Sequence, residues 1–91
     1  MTLAFPNPSR SFDERRNAVL FFGHDGLSEI RFFVEAGALA ISGTGLPMSG
    51  MSEAKCLSVF DGVRASILEI AREAYSHERR NYYTLTAADF Q

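Results

Sequence analysis

Residues 18–35 read AVLFFGHDGLSEIRFFVE, which is two apolar runs separated by an Asp-Gly pair. Asp-Gly between apolar runs is typical of a hairpin turn, because both positions of such a turn favour a positive φ. The two runs are therefore predicted to form an antiparallel hairpin with Asp25 and Gly26 as its loop. In that register one face is almost wholly apolar, and it is the predicted core face, since a slip of one residue would mix the two sets of side chains. Its members are Val19, Phe21, Ile30, Phe32 and Val34.

The opposite face of the hairpin also carries apolar side chains, with Glu29 and the candidate residue Arg31 among them. An uncovered patch of this kind marks a site for a protein partner or a second copy. The candidate interaction face consists of Leu20, Phe22, Leu27, Phe33 and Arg31. The alternative is that Leu3, Phe5 and Phe12 of the N-terminal segment fold over it.

A long helix is predicted over residues 52–78. Apolar side chains recur there at spacings of three and four residues, which is the period of one helix face. The stripe comprises Cys56, Phe60, Val63, Ile67, Ile70 and Ala74. Ser52 is placed to cap the N-terminus of this helix, and residues 81–86 are predicted to form a third strand.

These elements predict a single α+β domain over residues 1–91. The first hairpin strand is apolar on both faces, as a central strand would be, so the third strand is placed beside it. The predicted fold is a small three-stranded antiparallel sheet of order 2-1-3, formed around the N-terminal hairpin and packed on one long helix.

The remaining segments are predicted to be short or irregular. Residues 1–17 are irregular apart from one helical turn, because Ser11 and Glu14 fit a capping box. A short helix is predicted over residues 37–41 and a flexible Gly/Pro loop over residues 42–51. Thr86 is predicted to cap a final turn.

The composition excludes several classes of protein. The 91 residues are 46% hydrophobic and 22% charged, which is too apolar for a disordered chain. Nine basic and eleven acidic residues give a net charge of −2, with no basic arm to suggest a nucleic acid or membrane partner. The longest apolar run, residues 18–22, is too short to span a bilayer. The start of the chain does not resemble a signal peptide, so a cytoplasmic location is expected.

No catalytic, cofactor-binding or metal-binding residues are predicted, and the chain is predicted not to be an enzyme. The Gly43-Thr-Gly45 loop lacks the further glycine of a dinucleotide-binding motif and the Gly-Lys-Ser/Thr of a nucleotide triphosphate loop. His24 and His77 each adjoin an acid, but neighbouring residues point apart and do not form a catalytic dyad. The single cysteine, Cys56, lies on the apolar stripe and is expected to be an inert buried thiol.

A second candidate surface lies after the predicted helix. Arg79, Arg80, Tyr82 and Tyr83 combine positive charge with aromatic rings, as in proteins that bind single-stranded nucleic acid. Capping of the helix dipole and the strand propensity of tyrosine explain the same residues.

The chain resembles the bacterial domain-of-unknown-function family 1488. The resemblance lies in LAFPNPSRSFDERRNAVLFFGHDG near the start, IRFFVEAGAL after the hairpin turn, and YTLTAADF at the end. It implies a small cytoplasmic α+β protein of proteobacteria and no established activity, cofactor or catalytic residue. The functional prediction, which rests on the second face of the hairpin, is a non-enzymatic protein-interaction or self-associating module whose partner is a second copy or another protein. The alternative is a weak nucleic-acid-binding or regulatory protein that uses the Arg/Tyr surface.

Overall fold

The computed structural model describes residues 3–6, 9–39 and 52–90. Its strands are β1 (Arg10–Asp13), β2 (Ala18–Asp25), β3 (Ser28–Glu35) and β4 (Tyr82–Leu85). Its helices are α1 (Ala36–Leu39), α2 (Glu53–Gly62) and α3 (Arg64–His77), followed by a 3₁₀ turn at Ala87–Phe90. The predicted α+β class is confirmed. The loop predicted over residues 42–51 and the end of the helix predicted over 37–41 lie outside the described residues.

The hairpin of β2 and β3 forms as predicted, with a shifted register. Asp25 pairs with Ser28, so the loop residues are Gly26 and Leu27 rather than Asp25 and Gly26. Gly26 has a φ of 64° and Leu27 does not have a positive φ, as in a turn that needs glycine only at its first loop position. The pairing moves by two residues, which leaves every side chain on its predicted face. The predicted core face is therefore confirmed: Val19, Phe21, Ile30, Phe32 and Val34 are all at most 3% exposed.

The helical turn predicted from the capping box is wrong, because the residues before Glu14 form β1. Phe12 pairs with Val19 of β2 and packs against the core, which a helical turn at this position would prevent. The Asp13 carboxylate accepts a hydrogen bond from the Arg16 amide (3.2 Å), within the tight turn that joins the two strands. Asn17 ends that turn with a φ of 51°.

The predicted strand order is also wrong. The sheet has four strands in the order β1-β2-β3-β4, and β4 runs parallel to β3 instead of antiparallel to β2. The strand β2 is central, as its two apolar faces predicted, but its second neighbour is β1. The backbone of Ala4 also exchanges two hydrogen bonds of 2.8 Å with His24. Both edges of β2 are thus occupied, and the free edge of β3 is where β4 pairs.

The single helix predicted over residues 52–78 is divided into α2 and α3. Ser52 caps α2 as predicted, since its Oγ accepts a hydrogen bond from the Lys55 amide (3.2 Å). The break falls at Val63, whose φ of −118° and ψ of 20° are not helical. Gly62 and the β-branched Val63 stand at this point, and both are weaker helix formers than the residues around them. The final turn predicted after Thr86 forms at Ala87–Phe90, but the Thr86 side chain does not cap it by accepting an amide hydrogen bond. Instead the Asp89 carboxylate accepts from the Thr86 amide (2.8 Å).

The core lies between one face of the sheet and the helices. Phe21 contacts Phe60 of α2 with ring centroids 5.2 Å apart. Phe32 stacks on Tyr83 of β4 at 5.1 Å. Within the described residues, no helix is long and apolar enough to cross a membrane.

The N-terminal segment packs on this same core face. The Phe5 ring lies 5.9 Å from the rings of both Phe21 and Phe32, and Leu3 is 5% exposed. The expectation that Leu3, Phe5 and Phe12 cover the opposite face of the hairpin is therefore wrong. Gly23 on β2 leaves the space that the Leu3 and Phe5 side chains occupy.

Candidate functional site

The candidate site is the face of the sheet opposite the core, called the outer face below. Paired residues of neighbouring strands share a face, so its members follow from the strand pairing. They are Ser11 and Asp13 of β1, Ala18, Leu20, Phe22 and His24 of β2, Glu29, Arg31, Phe33 and Glu35 of β3, and Tyr82 and Thr84 of β4. The buried side chains of α2 and α3 belong to the core on the other side.

The centre of the outer face is apolar. Leu20 of β2 pairs with Phe33 of β3, and Phe22 is the next residue of β2 on this face. Leu20 and Phe22 are half-buried. Phe33 is 7% exposed, and the Arg16 guanidinium lies over its ring, 4.2 Å from the centroid. The Arg16 guanidinium is also 3.8 Å from the Asp13 carboxylate, and this ion pair helps to hold it over Phe33. Leu20 and Phe22 are not covered in this way and keep accessible apolar surface.

Two charged side chains of β3 flank this apolar centre. Glu29 and Arg31 are both exposed, two residues apart on the same strand and the same face. Within the described part of the chain, neither side chain makes a hydrogen bond or an ion pair. Beside its apolar centre the face therefore presents an anion and a cation that have no partner among the described residues.

A hollow of about 600 Å³ opens between these charges and the start of β4. It is lined by Arg16, Glu29, Arg31, Phe33, Asn81 and Tyr82. Tyr82 is 54% exposed at its rim. The hollow therefore has aromatic walls and charges of both signs. Such a lining favours a largely apolar side chain over a strongly charged ligand.

The fifth candidate residue, Leu27, lies at the tip of the hairpin turn and not within the hollow. Its side chain is fully exposed. No residue in the described part of the chain packs over this large apolar side chain. The predicted interaction residues are thus divided between an apolar centre (Leu20, Phe22 and Phe33), a charged flank (Arg31) and a protruding tip (Leu27).

The four residues of the predicted Arg/Tyr surface do not share one face. Tyr82 points to the outer face, whereas Tyr83 points into the core and is 7% exposed. The Tyr83 hydroxyl donates to the Glu78 carbonyl and accepts from the Arg80 amide (2.9 Å). The Arg80 guanidinium is 2.5 Å from the Glu78 carboxylate, and Arg79 lies over the Tyr75 ring, 5.5 Å from its centroid.

Several titratable groups away from the outer face are held by contacts with the rest of the fold. Tyr75 donates a hydrogen bond to the Asp25 carboxylate (2.6 Å), which raises the pKa of Tyr75 above its usual range. Burial raises the pKa of the Cys56 thiol, which keeps it protonated and unreactive. His77 lies at the exposed end of α3, 3.8 Å from Glu73. The described residues contain no group of three His, Cys, Asp or Glu side chains able to hold a metal ion.

Sequence reasoning missed Arg16 and Asn81 as parts of the site. Arg16 reaches the outer face only because residues 10–13 form a strand that returns into β2, and the capping-box interpretation hid that strand. Asn81 lies in the hollow because β4 pairs with β3, and its carbonyl accepts from the Arg31 amide (3.0 Å). Neither position has a local signal in the sequence, since both depend on strand pairing over long range.

In a comparison with protein families, residues 3–86 match the family described as protein of unknown function (DUF1488). The chain belongs to the DUF1488 family. The match spans all four strands and the three helices, so the outer face is part of the DUF1488 domain itself. Comparison with curated proteins and with solved structures gives no match. The DUF1488 description assigns no activity, and the site is therefore defined by its geometry.

Proposed function

We propose that this DUF1488 protein is a non-enzymatic interaction module that binds a protein surface through its outer face. The observation that supports the proposal is the uncovered apolar centre formed by Leu20 and Phe22. One face of the sheet is packed by the helices and the N-terminal segment, but no described segment packs over the other.

The energetics of a small domain favour this interpretation. Fully burying an exposed leucine or phenylalanine contributes about 1.5–3 kcal/mol, and Leu20 and Phe22 expose about a third of the side chain at most, so burying the remainder contributes up to about 1 kcal/mol each. Leu20 and Phe22 lie on the central strand, so they are held rigidly and lose little conformational entropy when a partner binds. An apolar centre with a charged flank, here Glu29 and Arg31, is the usual composition of a protein–protein interface.

The test compares Phe22→Asp with a matched control, Ala65→Glu, which places a carboxylate on an exposed position of α3. Tagged wild-type and variant proteins are expressed at native level, captured with and without nuclease, and read by mass spectrometry, with circular dichroism as the check of folding. We expect wild type and Ala65→Glu to retain a nuclease-resistant protein partner, which includes an untagged copy of the chain, and folded Phe22→Asp to lose it. A folded Phe22→Asp protein that captures the same partners would contradict the proposal. Phe33→Asp is a poorer probe, because Phe33 is almost buried beneath Arg16.

The alternative function is weak binding of single-stranded nucleic acid. Its support is the exposed ring of Tyr82 close in sequence to Arg79 and Arg80. Against it, Tyr83 has no accessible ring face and Arg80 is paired with Glu78. Binding of a labelled oligonucleotide that weakens with salt and is lost in Arg79→Ala/Arg80→Ala would favour this alternative.

A further inference from the structure

We propose that the occupant of the outer face is a second copy of this chain, docked face to face about a two-fold axis that crosses β3 near Ile30. In this dimer Leu27 of each copy enters the hollow beside Phe33 of the other. The proposal rests on the proposed function, because it names the partner of the same face.

A two-fold interface uses the same patch on both copies, so the patch must contain both members of every contact. The outer face meets this requirement for charge, since β3 carries the unpaired anion Glu29 and the unpaired cation Arg31. It meets the requirement for shape as well. The exposed Leu27 side chain protrudes at one end of the face, and the hollow beside Phe33, towards the other end, can receive such a side chain.

The spacing of these features defines where the axis lies. An axis in the interface plane, perpendicular to β3 at Ile30, places residues equally far from Ile30 opposite each other. Glu29 then faces Arg31 of the other copy, and Leu27 faces Phe33. Gly23 pairs with Ile30, so the same axis brings Phe22 opposite His24 of the other copy. A single axis thus places Glu29 and Arg31 opposite residues of the other sign and also places the exposed Leu27 opposite Phe33.

The size of the face indicates a reversible dimer. β2 and β3 have eight residues each and β1 and β4 have four each, so a rise of about 3.3 Å per residue and a strand spacing of about 4.8 Å give at most roughly 400 Å² per copy. The total of at most roughly 800 Å² is the size of weak, transient contacts, so we expect a dissociation constant of roughly 100–500 µM. Ion pairs across an interface fix the register more than they add affinity. Charge variants therefore test the geometry, and Leu27 variants test the apolar contact.

The experiment is sedimentation velocity at low salt over a concentration series up to about 1 mM, which exceeds the expected dissociation constant. Wild type should pass from the 10.1 kDa monomer to a species of about twice that mass. Glu29→Arg or Arg31→Glu alone places two like-charged pairs in the dimer and should weaken it about tenfold or more. An equimolar mixture of the two single variants should restore association as a heterodimer, and the double variant Glu29→Arg/Arg31→Glu should restore the homodimer.

The apolar contact is tested by Leu27→Glu, with Ala65→Glu as the charge-matched control. Leu27 is fully exposed, so its replacement leaves the monomer folded, and we expect only Leu27→Glu to abolish the dimer. Wild type that stays monomeric at the highest concentration overturns this proposal, and the proposed function then stands or fails on the capture experiment with Phe22→Asp. A dimer that is indifferent to Leu27→Glu and to the charge variants also overturns it, because the copies then meet through another surface.

Discussion

Replacing Gly23 by alanine tests how the N-terminal segment is held on the core face. A Cβ atom at this position would lie 2.9 Å from Leu3 Cδ1, 2.9 Å from Phe5 Cε1 and 3.2 Å from Phe32 Cε2. Contacts below 3.0 Å cannot persist, so the Leu3 and Phe5 side chains must move. Both belong to the segment whose Ala4 backbone pairs with His24, and the displacement should therefore loosen that pairing.

The expected magnitude follows from two opposing effects. Alanine restricts the unfolded chain relative to glycine, which stabilises the fold by about 0.4–1 kcal/mol. Overpacking of a filled core costs about 1–3 kcal/mol. Gly23→Ala should therefore lower the free energy of unfolding by roughly 0.5–2 kcal/mol. Gly62→Ala is the matched control: its Cβ meets nothing within 4 Å, and it should raise the free energy of unfolding by about 0.5 kcal/mol or more.

Equilibrium urea unfolding measures both variants, and amide hydrogen exchange at Ala4 and His24 reports the local effect. The two glycine variants should change stability in opposite directions, with faster exchange at Ala4 in Gly23→Ala only. Combining Gly23→Ala with Phe5→Leu should cost less than the sum of the single changes, because the shorter side chain relieves the contact. The packing of Leu3 and Phe5 on Gly23 would be refuted by a Gly23→Ala protein that is as stable as wild type with unchanged exchange.

Three further predictions concern titratable groups. Cys56 is fully buried and its pKa is raised, so a thiol reagent should modify it only as fast as the domain opens, and rapid labelling in native buffer would contradict this. The Tyr75 pKa is raised by its hydrogen bond to Asp25, so that contribution to stability is complete below the usual tyrosine pKa of about 10 and is lost as the pH rises through the folded value. An absorbance titration should show one late tyrosine that disappears in Tyr75→Phe. The Arg10 side chain lowers the Asp61 pKa through hydrogen bonds of 3.0 and 2.7 Å, so their contribution is present above about pH 3.9 and is lost as the pH falls through the lower folded value. Unfolding measured across that acid range should depend less on pH in Arg10→Gln, and an unchanged dependence would argue against the ion pair.

The core face could be predicted from the sequence because it depends only on the alternation of side chains between the two faces of each strand. Apolar side chains alternate along β2 and β3, and the burial of one set does not change when the pairing moves by two residues. The predicted loop is displaced by one residue for the same reason. Alternation defines the face on which each side chain lies, but it does not define which residues of the two strands pair. Turn conformation decides the register, and here Gly26 takes the positive φ at the first loop position while Leu27 does not.

Strand order could not be predicted, because it depends on a segment with an ambiguous local pattern. Ser11 and Glu14 match a capping box, yet Phe12 of the same segment pairs with Val19 and packs against the core. Burial of Phe12 at long range outweighs the local helical preference, which is worth about 1 kcal/mol or less at a cap. Once β1 and β3 occupy both edges of β2, β4 cannot pair with β2, and it joins the free edge of β3. The hollow between Arg31 and Tyr82 is a consequence of that pairing, and it could not be inferred before the sheet order was known.

The charges on β3 restrict what can bind the outer face. On the core face every β3 position from Ile30 to Val34 is apolar and buried, whereas Glu29 and Arg31 interrupt the outer face with full charges. Burying an unpaired charge costs far more than the neighbouring apolar contacts return. A partner that covers Phe22 must therefore place a cation opposite Glu29 and an anion opposite Arg31, at the spacing of alternate residues on a strand. The strand β3 of a second copy carries that pair at that spacing, in reverse order when the strands run antiparallel, and a homodimer consequently satisfies the requirement with no additional component.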